Sequence, residues 1–480
     1  MSAPITTPIT TLLGADGVLL ATIDMAGRTM NVFSAELMDA LDALMDRVDT
    51  DAAVKSCVIT SGKPSFLAGA DLVMVRGYCD AARTATHEEM FAMCGRLGRQ
   101  FVRMEASAKP YVAAVNGLAL GGGLELALAC RLRFVADDPR LQLGVPEVRW
   151  GLLPGAGGTQ RLPRMAGFEP AMGLLLSGRS VDPGTALKLG FVSAIVPAAR
   201  LLEEARAAAR ALQGQPYDAA AKFRHLAQAD VPAAATADPR AIAAKFGIAA
   251  EDFDLYPAYP AIVDSVLQGA GQPLDEATAT EMHNFLRLMF SPVAGRMVRT
   301  LFLERLRAER ELAPPSGVAV EKLRTGPLSD SWASALSKLK LPREQVDGLP
   351  KGALELTDHA GAVHHAHLCD VADPPKATND AQLVLGPQGP YGRVIEIAGA
   401  DDGGAAAFAA LATRLWSLPW RTPGPASRLA QLAGLSLPEQ ARCAAAWTDG
   451  DAAFVDVAAC LAGLSPAWSG GPLSWQADPR

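Results

Sequence analysis

Ala119-Leu120-Gly121-Gly122-Gly123-Leu124-Glu125 decides how this chain reads. The run follows an apolar strand-like segment, Tyr111 to Val115, and opens an apolar helix-like one, Leu124 to Ala129. A strand that enters a helix through glycines leaves unpaired N–H groups at the helix N-terminus. The helix dipole favours negative charge there, and no Cβ keeps an anionic oxygen away. This is the arrangement of an oxyanion hole. Glu125 stands three residues past Gly122, about one helical turn on, so its carboxylate can face the same space. A second carboxylate comes in Leu143-Gly144-Val145-Pro146-Glu147, where Pro146 ends strand pairing and fixes the turn that presents Glu147.

A triple glycine alone is most often a turn or a packing point, and an isolated glutamate a solvated surface residue. Here other segments agree with the functional reading. Upstream, Phe66-Leu67-Ala68-Gly69-Ala70-Asp71 follows the strand-like Ser56 to Thr60 and offers a second small-residue turn. Downstream, Glu147 to Arg164 contains Pro154-Gly155-Ala156-Gly157-Gly158-Thr159-Gln160-Arg161. In this order and spacing the pieces resemble the crotonase family of acyl-CoA enzymes over about residues 10 to 200. The likeness is closest to the hydratase half of the multifunctional fatty-acid oxidation α-subunits.

The resemblance implies an α/β fold, the repeated ββα superhelix of crotonases. It also implies that the backbone N–H groups of Ala70 and Gly122 hold a thioester oxygen. Glu125 and Glu147 then grip one water, Glu125 chiefly orienting and deprotonating it and Glu147 serving the α-carbon proton. Substrate contacts are expected at Ala68, whose carbonyl would meet the CoA adenine, and at Asp71, Gly121 and Gly155. Turn capping explains Asp71 equally well, as a structural turn does Gly155 to Gly158.

The chain has 480 residues, which implies two to three domains. Half of them are apolar and a fifth charged, the balance of a soluble globular protein. A net charge of −7 without a basic block argues against nucleic-acid binding. No apolar run is long enough to span a membrane, and Met1 to Thr11 lacks a basic segment followed by an apolar core, so a cytoplasmic location is expected. Seven cysteines, scattered from Cys57 to Cys460 without a CxxC pair, read as buried thiols in a reducing compartment.

Strand-like runs (Val18 to Ile23, Cys57 to Thr60, Tyr111 to Val115, Leu132 to Ala136) alternate with helical patterns such as Ala35 to Val48 and Glu88 to Met104, which indicates an α/β domain; the resemblance implies that it is a crotonase domain over 1–200. A helical connector is expected over 201–312. It includes Leu201 to Leu212, the landmark Tyr256-Pro257-Ala258-Tyr259-Pro260, and a long helix from Glu281 to Leu303 interrupted at Ser291-Pro292. Ala313-Pro314-Pro315-Ser316-Gly317 reads as a linker to a smaller α/β region over 313–480.

In the multifunctional relatives a dinucleotide-binding dehydrogenase follows, and here the pattern departs from theirs. No GxGxxG lies after Gly317, and Gly386-Pro387-Gln388-Gly389-Pro390-Tyr391-Gly392 carries two prolines and precedes a strand. Val394-Ile395-Glu396-Ile397 followed by Ala405 to Leu415 resembles the segment bearing the dehydrogenase's catalytic glutamate. Its histidine partner should lie twelve positions earlier, at Val384, and a valine cannot accept a proton. Asp456 to Leu464 and Pro466 to Trp475 resemble the end of the dehydrogenase's helical domain. The expectation is a truncated, degenerate dehydrogenase half with no NAD. His359, His364, His365, His367 and Cys369 match no tetrahedral zinc spacing and read as a polar strand or loop, with no metal.

The function expected is an enoyl-CoA hydratase of fatty-acid β-oxidation that has lost its dehydrogenase, with CoA entering only as the substrate thioester. Two alternatives stand beside it: a non-catalytic acyl-CoA-binding scaffold, or a crotonase-type isomerase on a specialised acyl-CoA. A homo-oligomer is expected, with thiolase or a separate dehydrogenase as partner.

Overall fold

The structure, a computed structural model, describes residues 7–223, 231–232, 236–372, 381–389, 391–424, 426–447 and 451–477. Two compact units divide it, residues 1–295 and 296–480.

In the first unit a six-stranded sheet comprises β1 (Ile9–Leu13), β2 (Val18–Ile23), β3 (Ser56–Ser61), β4 (Tyr111–Val115), β6 (Leu132–Ala136) and β9 (Ala194–Val196), in that order. Only β1 and β2 pair antiparallel. β3 and β4 are buried at every residue, which is why they are near-continuous apolar runs without alternation. A second small sheet joins β5 (Ala119–Leu120), β7 (Leu143–Gly144) and β8 (Ser180–Val181). Helices α1 (Ala35–Thr50), α2 (Leu72–Ala81), α3 (His87–Cys94), α4 (Arg96–Ala106), α5 (Gly122–Ala129) and α6 (Gly158–Ala166) fill the crossovers. Ser34 starts α1 by accepting from Leu37 N–H, and Leu37, Leu41, Leu44 and Val48 form the buried stripe that its pattern requires.

The single helix expected from Glu88 to Met104 is two helices. Gly95 ends α3 and begins α4, and a Cβ there would lie 2.7 Å from both the Phe91 carbonyl and the Arg99 guanidinium. The helix expected from Glu281 begins at Leu274 and stops at Phe290; Pro292, which has no N–H to continue it, opens the next. The two units meet at residues 295 and 296, whereas the expected boundaries lie at 200 and 312. The Ala258–Gly269 and Leu274–Phe290 helices pack on α3, α4 and α6, while residues from Arg296 onward belong to the second unit. The physical reason is the apolar stripe of each helix (Ile262 and Val266; Leu286 and Met289), which is buried against the first unit.

The second unit is α/β. Its sheet runs β11-β10-β12-β13-β14-β15-β16, built from β10 (Val320–Thr325), β11 (Arg343–Gln345), β12 (Ala353–Asp358), β13 (Val363–Asp370), β14 (Ala381–Leu385), β15 (Val394–Ala398) and β16 (Leu418–Thr422). β10–β11, β13–β14 and β15–β16 are parallel, and β10–β12, β12–β13 and β14–β15 antiparallel. Trp332, Leu336 and Phe408 cover one face, and Leu429, Val457 and Leu461 help cover the other. The histidine-rich segment is strand β13, where His364 meets Asp358 at 3.0 Å. Among the described residues no three metal-ligating side chains gather. Pro390 of the glycine–proline run lies outside the described residues.

Candidate active site

The first turn of the site forms where β5 enters α5. Gly121 has φ +52° and donates to the Gly144 carbonyl at 2.8 Å, which ties the turn to β7. The upstream turn is fastened beside it: Leu120 N–H donates to Leu67 O at 3.0 Å and Phe66 N–H to Leu118 O at 2.9 Å. The two turns abut, since a Cβ on Gly69 (φ +90°) would lie 3.2 Å from the Leu120 carbonyl and 3.8 Å from Gly121 Cα. Ala70 is flanked by bonds from Phe33 N–H to Gly69 O and from Asp71 N–H to Phe33 O, at 2.8 and 2.9 Å. Its own N–H, like that of Gly122 at the head of α5, donates to no acceptor among the described residues. Neighbouring turns therefore carry two N–H groups open to an anionic oxygen.

Glu125, 2% exposed, points from the first turn of α5 into the loop before α6. Its Oε1 accepts from Ala156 N–H at 2.8 Å and Gly158 N–H at 2.7 Å. Burial pushes its carboxyl up to about 7, against the pull of those two N–H groups and of Arg161. Glu147 sits on the 3₁₀ turn Pro146–Trp150, with Oε1 against Gly121, where a Cβ would collide with it. Its Oε2 is buried and has no partner among the described residues. Burial, and next the charge of Glu125, hold the Glu147 carboxyl well above the usual carboxylate range.

The other expected site residues have defined places. Asp71 caps α2, accepting from Val73 N–H at 2.9 Å, and pairs with Arg28 at 2.9 Å. Ala68 is half-buried in the turn, its N–H held by the Asn31 carbonyl at 2.9 Å. Gly155 lies under the Phe285 ring, which a Cβ would meet at 2.9 Å.

Sequence reasoning missed three residues. Asn31 ties the Ala70 turn to β2 and β3: its backbone carbonyl accepts from Ala68 N–H at 2.9 Å, and its Nδ2 donates to the Phe66 carbonyl at 3.3 Å, the Ile23 carbonyl at 3.0 Å and Ser61 Oγ at 2.9 Å. Tyr256 and Glu281 reach the site from the helical segment. Glu281 is fully buried and accepts from Gly157 N–H at 2.6 Å and Thr159 N–H at 2.9 Å. Burial, with the charge of Glu125 behind it, raises its carboxyl to about 8. Its signal was available: Glu281 falls on the stripe formed by Ala277, Thr278, Met282 and Phe285, where a charge is out of place.

In the second unit Val384 stands opposite Glu396 in the β14–β15 register, so the position where the resemblance puts a histidine faces the carboxylate and is apolar. Glu396 instead accepts from Thr422 Oγ1 (2.8 Å), Ser427 Oγ (2.6 Å), Arg428 N–H (2.7 Å) and Leu429 N–H (3.0 Å). Replacing Glu396 by Ala strands four buried donors and should cost about 3 kcal/mol or more in urea unfolding of the second unit, with turnover at the first unit unchanged.

Two N–H groups in neighbouring turns and two buried carboxylates thus gather on one mostly parallel α/β scaffold. Residues 16–248 match the family model described as enoyl-CoA hydratase/isomerase. It is 34% identical over 306 residues to the fatty acid oxidation complex subunit alpha of Shewanella frigidimarina, covering 63% of this chain and 42% of the relative. To the subunit of the same name in Shewanella halifaxensis it is 37% identical over 300 residues, covering 62% and 41%. The matched part thus spans less than half the length of these relatives. Among solved structures it is similar to an enoyl-CoA hydratase from Geobacillus kaustophilus HTA426 (26% identity, 64% of this chain and 94% of that one, TM-score 0.40). No helix among the described residues is long and apolar enough to cross a membrane.

Proposed function

We propose that this protein is an enoyl-CoA hydratase of fatty-acid oxidation that adds water to 2-enoyl-CoA thioesters and has no dehydrogenase activity of its own. The observation that carries the reading is the contrast between the two glutamates. Glu125 is held by two N–H groups as a carboxylate that can ionise near neutrality, while burial and the charge of Glu125 favour the protonated form of Glu147, whose buried Oε2 has no partner among the described residues. Ionised Glu125 takes a proton from water as its oxygen attacks C3. The C2–C3 π electrons move toward the thioester, whose oxygen becomes enolate-like against the N–H groups of Ala70 and Gly122. Glu147 then delivers its proton to C2, and proton exchange between the glutamates restores both. Loss of the dehydrogenase is supported by Val384 opposite Glu396 and by a sheet in which no three successive strands are parallel. The relatives' names support a place in fatty-acid oxidation, with the 3-hydroxyacyl-CoA product passing to a separate dehydrogenase.

Isotope uptake tests the reading. Crotonyl-CoA turned over in ¹⁸O-water and D₂O should acquire one solvent oxygen at C3 and one deuterium at C2 by mass spectrometry. Deuterium without oxygen would make the enzyme an isomerase, and uptake of neither would favour the scaffold. The rate should also follow pH. Because the Glu125 carboxyl is raised to about 7, it is protonated and idle below that value, so kcat/KM should climb roughly tenfold per pH unit up to it. It should fall again at higher pH, as Glu147 loses the proton it must donate. A flat acid limb would remove Glu125 as the base.

A further inference from the structure

Glu125 and Glu147 are each held through a turn, and both turns are braced by residues beyond position 248, where the family match ends. Tyr256 stands just ahead of the Ala258–Gly269 helix. Its hydroxyl donates to the Val148 carbonyl and accepts from Gly151 N–H at 2.9 Å, closing the 3₁₀ turn that carries Glu147. Glu281 lies on the Leu274–Phe290 helix. Its Oε1 accepts from Gly157 N–H, and its Oε2 from Thr159 N–H at 2.9 Å and Thr159 Oγ1 at 2.5 Å.

The four consecutive N–H groups of the Ala156–Thr159 turn therefore alternate in their acceptors. Those of Ala156 and Gly158 go to Glu125, and those of Gly157 and Thr159 to Glu281. A peptide plane gripped from one side can still rotate. Gripped alternately from two sides, the turn can aim its first pair at Glu125 in only one orientation. Further ties run the same way: Gln160 Nε2 donates to the Ser265 carbonyl and Arg164 Nη2 to the Gly269 carbonyl, each at 2.8 Å, fastening α6 to the Ala258–Gly269 helix.

We infer that Glu281 and Tyr256 are positioning residues for the reaction, Glu281 fixing the turn that holds Glu125 and Tyr256 the turn that presents Glu147. The helical segment thus completes the catalytic site. The kinetic part of this inference rests on the hydratase reading; the structural part does not.

Glu281→Gln tests it. The amide keeps the shape, but its NH₂ opposes one of the two backbone N–H groups, so half of the grip is lost. Crotonyl-CoA kinetics and amide hydrogen exchange over residues 154–160 would be read on the full chain, with a thermal melt to normalise for folded protein. The expected result is a kcat lowered about thirtyfold with KM within about twofold. Exchange should also be at least about tenfold faster at Ala156 and Gly158, whose own acceptor is untouched. Tyr256→Phe should lower kcat to a lesser degree, again at near-constant KM. If Glu281→Gln does not fold, Thr159→Val, which removes the hydroxyl's donation to Glu281 and its acceptance from Gln160 Nε2 but leaves both backbone N–H bonds to Glu281, is read in the same way with smaller shifts. Wild-type kcat per folded molecule with wild-type exchange at Ala156 and Gly158 would overturn the inference, even if the melt were lowered. If the wild-type protein itself hydrates nothing, the hydratase reading fails, and exchange at Ala156 and Gly158 still decides whether Glu281 positions the turn.

Discussion

Glu147→Gln should lower kcat for crotonyl-CoA hydration by about a thousandfold while KM moves by no more than about threefold. The amide has the same shape, so it fits against Gly121 where the carboxylate lies. It cannot give up a proton to carbon, whereas the carboxyl of Glu147 has a buried Oε2 with no partner among the described residues. Stability should not suffer. Burial and the charge of Glu125 already favour the proton-bound form of Glu147, so the substitution replaces one neutral side chain by another. Steady-state kinetics beside a thermal melt separates these effects. Unchanged turnover would place the chemistry elsewhere and favour a scaffold.

Gly121→Ala should lower kcat by at least about a hundredfold, through two penalties that act at one atom. Gly121 has φ +52°, where an L side chain costs about 1–2 kcal/mol. Its new Cβ would collide with Glu147 Oε1, so the carboxylate must move, and a misplacement of about 1 Å is worth about a hundredfold in rate. Gly27→Ala is the matched control: φ is +72°, yet a Cβ there meets nothing within 4 Å. It should pay the backbone cost in stability and leave turnover alone. Equal rates for the two variants would mean that the Gly121 turn does not set the position of Glu147.

What was legible in the chain was local chemistry. β2, β4 and β6 have the bounds that their apolar runs dictate, and the Gly121–Gly123 turn enters a helix as its glycines require. The Val384–Glu396 spacing could be judged before the fold because a hairpin converts twelve residues of separation into direct opposition. The break at Gly95 was hidden by an amphipathic pattern that runs on through α4 with its phase little disturbed. Most of the second unit's strands were missed for a different reason. β12 and β13 carry polar or histidine residues at their half-exposed positions, which dilutes the strand signal. Glu281 and Tyr256 act on turns more than 100 positions away in sequence, so no spacing rule could assign their partners. Only the stripe position of Glu281 marked it as unusual.

The central claim is that the first unit hydrates enoyl thioesters and the second oxidises nothing. The most direct test follows enoyl absorbance when purified protein meets crotonyl-CoA and then a longer 2-enoyl-CoA, with NAD added once the signal is steady. Loss of absorbance with no NADH is the predicted result. No loss on either substrate despite measurable acyl-CoA binding would contradict the hydratase assignment, and NADH formed without an added dehydrogenase would contradict the reading of Val384 and Glu396.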